Sequence, residues 1–172
     1  NFPISGERLH AEMVRAVARI KIAAAKANAD LGALDRKKAE AIVKAGEEIL
    51  AGKHDGQFVV DAYQAGAGTS FHMNVNEVIA NRACEILGGE RGDVSLVSPN
   101  DHVNMAQSTN DVVPTAIRIA AYVMTGPVIE QMDALARSFA GRAKAFAGVL
   151  KSGRTHLQDA VPLTLGQEIS GW

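Results

Sequence analysis

Between positions 8 and 29 neither glycine nor proline interrupts an alanine-rich run in which Leu9, Met13, Val14, Val17 and Ile20 recur at spacings of three and four. That period lines one face of a helix with apolar side chains, and it returns along most of the chain. Gly32 ends the first helix. Asp35 suits the N-cap of a second, whose Ala39, Ile42, Val43, Ile49 and Leu50 share a face up to Gly52. Residues 57–63 read as extended or irregular and lead into the glycine-dense 65–70. Val75, Val78, Ile79, Ala83, Ile86 and Leu87 mark a third helix closed by Gly88-Gly89, and 90–104 is a loop. A long helical pattern resumes at Ser108, with Pro114 tolerable in the first turns, a break or kink at Gly126-Pro127, and a further helix through Leu150. Residues 153–162 form a polar connection, and a last helix starts at Leu163. Strand signals are weak and aromatic residues make up only 5% of the chain. The expected fold class is mainly α, built from long helices.

Charge narrows the function classes. Eighteen Lys and Arg against 19 Asp and Glu leave a formal charge of −1 over 172 residues, which argues against nucleic acid or an anionic membrane as partner. No run of some 18 apolar residues is evident, so no bilayer span is expected. The single cysteine, Cys84, rules out an intrachain disulfide and fits a reducing compartment such as the cytoplasm. The chain opens without methionine or a signal-like segment and stops abruptly at Trp172, as a piece of a longer protein would.

Chemistry is expected where polar residues gather at breaks between apolar helices. Gly66-Ala67-Gly68-Thr69-Ser70 allows close backbone approach and supplies two hydroxyls, but lacks the Gly-Lys-Ser/Thr of a phosphate loop. Asn104 and Gln107-Ser108-Thr109-Asn110-Asp111 stand before a helical run, whose N-terminal amides and positive dipole end favour an anion. Simple capping needs only one of these residues. Gly153-Arg154-Thr155-His156-Leu157-Gln158-Asp159 brings a cation, a hydroxyl, an imidazole, an amide and a carboxylate into one connection. His10 and His54 read as surface residues, His72 and His102 lie beside the first two patches, and Cys84 reads as packing. No histidine pair has metal-ligand spacing, so neither metal nor cofactor is expected.

At these patches the sequence resembles the aspartase/fumarase superfamily over essentially its whole length. The resemblance is carried by Gly66-Ala67-Gly68-Thr69-Ser70, Met73-Asn74-Val75-Asn76-Glu77-Val78-Ile79-Ala80-Asn81, Ser98-Pro99-Asn100-Asp101-His102-Val103-Asn104, Gln107-Ser108-Thr109-Asn110-Asp111 and Gly153-Arg154-Thr155-His156-Leu157-Gln158-Asp159-Ala160-Val161-Pro162, in that order. It implies an N-terminal helical lyase domain over 1–107 and the truncated beginning of a central helical bundle over 108–172. Homotetramers with sites shared among three subunits go with that architecture. It also implies reversible β-elimination of an amine or water from a four-carbon dicarboxylate, giving fumarate through an aci-carboxylate held by preorganised donors. Carried over by motif, Thr69, Ser108, Thr109 and Asn110 bind the substrate carboxylate, while Thr155 and His156 bind and act on the leaving-group side. Ala67, Ser70 and the order Ser108-Thr109-Asn110 resemble aspartases; Ser98 replaces the histidine usual in fumarases, and His72 stands where asparagine is more usual. The reading is an aspartate ammonia-lyase, with class II fumarate hydratase or an inactive helical assembly fragment as alternatives. The superfamily's serine base lies on a downstream Gly-Ser-Ser-x-Met-Pro-x-Lys-x-Asn loop that this chain does not contain, so the piece alone is expected to be inactive.

Overall fold

The computed structural model describes residues 2–64 and 66–172; Asn1 and Ala65, which leads the glycine-dense segment, lie outside them. The chain divides into two units, 1–123 and 124–172, and each is described by itself.

In the first unit His10, exposed as a surface residue is expected to be, opens helix α1 (Ala11–Asp30), its Nδ1 accepting the Glu12 N–H as a cap. Asp35 caps α2 (Arg36–Leu50) by accepting the Lys38 N–H at 3.1 Å, as its position predicts. Helix α3 covers Thr69–Ile86. All three helices end with a left-handed glycine. After α1 it is Gly32 at φ 73°, where the Ala33 and Gly32 amides close back on the carbonyls of Asn28 and Ala29. Helix α2 packs against both α1 and α3. Val17, Ile42, Ile49, Val75 and Ile79 are completely buried between them, each side chain contributing on the order of 2 kcal/mol by leaving water. The approach of α1 to α2 needs Gly46, because a Cβ there would stand 2.6 Å from Ile22 Cγ1.

The chain before α1 is tied down by one carboxylate. Asp61 accepts the backbone N–H groups of Tyr63 (2.9 Å), Ser5 (2.8 Å), Gly6 (2.8 Å) and Ile4 (3.1 Å), beside a bridge between Arg8 and Asp61. The Tyr63 amide above all, then those of Ser5 and Gly6, hold its pKa down at about 2.

Helix α4 runs Thr109–Ala145, and only Val112, Ala116 and Ala120, one residue per turn, are buried along it. Of the break or kink expected at Gly126-Pro127, the break is absent. A proline removes one N–H, and one unmade bond in a 37-residue helix does not end it. That continuity corrects a second expectation: by length and composition alone α4 could cross a membrane.

The second unit departs most from the sequence reading. The helix expected through Leu150 ends at Ala145, and two strands, β1 (Leu150–Thr155) and β2 (Gln158–Thr164), pair antiparallel from Leu150↔Thr164 to Thr155↔Gln158. The polar connection is therefore a hairpin with a two-residue turn, not a loop between helices. Helix α5 (Leu165–Ser170) follows, opened by a reciprocal Thr164/Gln167 capping box. It sits against the end of α4, where a Cβ on Gly166 would fall 2.4 Å from the Ala143 carbonyl and where Trp172 stacks edge-on against Phe139.

Candidate active site

One buried cation organises the polar side of the first unit. Lys21 lies on the apolar face of α1, between Val17 and Ala25, and none of it reaches solvent. Its ammonium stands 2.6 Å from His72 Nε2 on α3, 2.9 Å from Asn104 Oδ1 and 2.8 Å from Gln107 Oε1. Burial lowers the pKa of Lys21 to about 7. Burial first, and then the charge on Lys21, lower that of His72 to about 4, so the imidazole is neutral at neutral pH.

The 103–107 segment is wrapped around this lysine. Gln107 Nε2 donates to the carbonyls of Val103 and Met105, Asn104 Nδ2 donates to the Gln107 carbonyl, and Asn28 Nδ2 reaches the Met105 carbonyl from α1. Ala106 takes a left-handed φ of 58°, an uncommon conformation for a residue with a Cβ. The turn delivers Ser108 to the start of α4. There its carbonyl accepts the amides of Asp111 and Val112, and its hydroxyl oxygen accepts that of Asn110 at 3.3 Å. Ser108 and Asn110 are exposed, while Thr109 is half-buried and its Oγ1 lies 2.8 Å from His72 Nδ1.

The first two patches are thus brought together. Thr69 is the exposed first residue of α3, His72 follows one turn later, and Gly68 before it is left-handed at φ 79°. A Cβ on Gly68 would stand 3.0 Å from Val113 Cγ1 near the start of α4, a tight contact added to a left-handed φ, so glycine suits the approach of α3 to α4. The N-termini of α3 and α4 come close here, with Thr69, Ser108, Thr109 and Asn110 at this rim and the Asp111 carboxylate in the first turn of α4. Helix N-termini and hydroxyl or amide donors suit an anion without cancelling its charge.

Thr155 and His156 belong to the second unit. Thr155 ends β1, and His156 and Leu157 form the turn with φ of 50° and 62°, all three exposed. Arg154 and Asp159 pair across the strands at 3.1 Å. Among the other histidines, His54 pairs with Glu48, and His102 Nδ1 accepts the Ser98 N–H at 2.8 Å, so both hold local structure. Cys84 is buried in the core, as its surroundings in sequence suggest. Among the described residues no group of three or more His, Cys, Asp or Glu could hold a metal ion.

Lys21 escapes a reading of polar patches because it lies in a helix, 83 residues from its nearest-spaced amide partner. Its signal is a charge on the apolar stripe Val14, Val17, Lys21, Ala25.

Comparison with known proteins places the chain in a family. A family model described as lyase matches residues 1–172. Fumarate hydratase class II of Chromobacterium violaceum is 53% identical over 173 residues, covering 100% of this chain and 38% of that protein. Aspartate ammonia-lyase of a Bacillus species is 51% identical over 172 residues, covering 100% of this chain and 37% of that one. The crystal structure of fumarate lyase:delta crystallin from Brucella melitensis in native form superposes with a TM-score of 0.95 at 51% identity, covering 99% of this chain and 39% of that one. The chain therefore spans less than two fifths of these relatives, and it belongs to the lyase family, within the aspartase/fumarase superfamily.

Proposed function

We propose that the whole protein is an ammonia-lyase that converts L-aspartate reversibly into fumarate and ammonia. A base supplied from outside this chain takes a proton from the carbon next to one carboxylate. The electron pair moves into that carboxylate, giving an aci-carboxylate, and returns to form the carbon–carbon double bond as the carbon–nitrogen bond breaks. The step is redox-neutral. Thr69, Ser108, Thr109 and Asn110 hold the carboxylate on which charge builds, and Thr155 and His156 attend the departing amine. Neutral donors fit this task because their hydrogen bonds strengthen as charge develops, which concentrates their benefit in the transition state. The observation that carries the reading is the row Ser108, Thr109, Asn110 at the start of α4, with Thr109 tied to a buried imidazole.

Aspartate is preferred to malate on Ala67, Ser70 and the Ser108-Thr109-Asn110 order. The fumarate hydratase name of a relative at 53% identity supports malate as the second reading. Fumarate absorbance followed with the full-length protein separates them: aspartate is turned over, and turnover of malate with none of aspartate overturns the choice. A homotetramer with shared sites, in the cytoplasm, belongs to the same proposal.

A further inference from the structure

Lys21 and His72 are fully buried behind the proposed substrate rim, and His72 lies within hydrogen-bond distance of both the Lys21 ammonium and the Thr109 hydroxyl. An ammonium carries three protons and accepts none. Around Lys21 there are three acceptors: Asn104 Oδ1, Gln107 Oε1 and His72 Nε2. If each takes one proton, Nε2 is the bare nitrogen of the neutral ring and Nδ1 carries the hydrogen. Nδ1–H then donates to Thr109 Oγ1 at 2.8 Å, and the hydrogen of Thr109 itself must point elsewhere.

We propose that His72 is a positioning residue: held by the Lys21 ammonium in the Nδ1–H form, it donates to the Thr109 hydroxyl and turns that hydroxyl's own hydrogen outward, toward a substrate carboxylate at the start of α4. The proposal rests on the dicarboxylate reading given above. Loss of one proton from Lys21 reverses the chain. A neutral amine donates to the two amide oxygens and offers its lone pair to Nε2–H, Nδ1 becomes an acceptor, and the Thr109 hydrogen is drawn inward. The Lys21 ammonium is therefore part of the site's preorganisation below neutral pH, and its pKa, lowered to about 7, centres the reversal at neutrality. The groups facing Lys21 and His72 are each other, Thr109, and the uncharged amides of Asn104 and Gln107; among the described residues no carboxylate pairs with either.

Two measurements on the full-length protein test this. Nitrogen-15 NMR of histidine-labelled wild type at pH 6 reads the ring directly: a protonated Nδ1 with a bare Nε2 at His72 is expected, and the opposite tautomer overturns the proposal. In steady-state kinetics, His72→Leu is expected to lower kcat at least tenfold. His72→Asn, whose amide keeps one acceptor and one donor, should recover most of that loss, and in a Thr109→Val background His72→Leu should add less than threefold. The wild-type kcat/KM should fall as pH rises above about 7, and His72→Leu should lack that limb. A folded His72→Leu enzyme with wild-type kcat and pH profile overturns the proposal, as does a full tenfold loss persisting in Thr109→Val. If wild type turns over neither aspartate nor malate, the functional reading falls, and the relay is decided by the tautomer alone.

Discussion

Asp61 shows how one side chain can organise a segment that has no secondary structure of its own. Four backbone amides converge on its carboxylate, three of them from residues 4–6. A neutral amide in its place keeps one acceptor oxygen and turns a donor toward N–H groups, which leaves some of them unmet. Because the folded pKa is depressed to about 2 from an ordinary 3.8, the stabilisation is complete above the ordinary value and is lost as pH falls toward 2. Asp61→Asn is therefore expected to melt below wild type at pH 7, with the difference shrinking between pH 4 and pH 2. Thermal unfolding followed by circular dichroism across that range checks it, and a gap independent of pH would contradict the assignment. The Asp61 clamp is invisible in sequence for the reason Lys21 is. Apart from the Tyr63 amide beside Asp61, both act on partners tens of residues away, and neither sits in a run of polar residues. Asp35, which acts within a few residues, is legible as a cap from the chain alone.

At the scale of elements, helices were readable and the hairpin was not. The α1, α2 and α3 stripes have a period that only a helix satisfies, and each stops at a glycine. Strand β1 reads Leu-Lys-Ser-Gly-Arg-Thr and β2 contains Pro162, so neither shows the apolar alternation of a half-buried strand. What pairs them is close contact: a Cβ on Gly153 would meet Leu163 Cδ2 at 2.6 Å, next to an irregularity in register between Ser152 and Arg154. The turn is stranger still. Two-residue hairpin turns with both residues at positive φ favour Asn-Gly, and here His156 and Leu157 take those angles. Leu157 is 92% exposed, so packing does not offset its backbone strain. Leu157→Gly is expected to stabilise the protein by about 1 kcal/mol, read as a raised midpoint in urea. His156 bears the same strain, and its retention fits the proposed role at the departing amine. His156→Ala in the full-length protein is expected to lower turnover one to three orders of magnitude, about 1.4 kcal/mol per tenfold, with little change in that midpoint. A rate near wild type would make the turn purely structural.

For the whole molecule the informative surface is the second unit's stretch of α4. Met124, Val128, Met132, Leu135 and Phe139 recur at spacings of four and three and fall within an arc of about 80°. Glu130, Asp133 and Arg137 lie on the opposite side, and Val128, Met132 and Leu135 are all more than half exposed. A stripe of that width with charges behind it matches the seam of a helical bundle better than a bilayer, which would have to cover the charged side as well. Monomers in water seldom keep a contiguous apolar stripe of this kind exposed. Since the chain spans under two fifths of its relatives, the seam's cover is expected from the remaining length and from further copies, as in the proposed homotetramer. Met132→Glu in the full-length protein puts a charge at the centre of the stripe. On an exposed helix position it costs the unit itself little, so helicity by circular dichroism should stay at the wild-type level. Burying that carboxylate in a seam without a partner costs several kcal/mol, enough to shift sedimentation at micromolar concentration from the assembled species toward the single chain. An unchanged sedimentation coefficient would place the stripe outside every subunit contact.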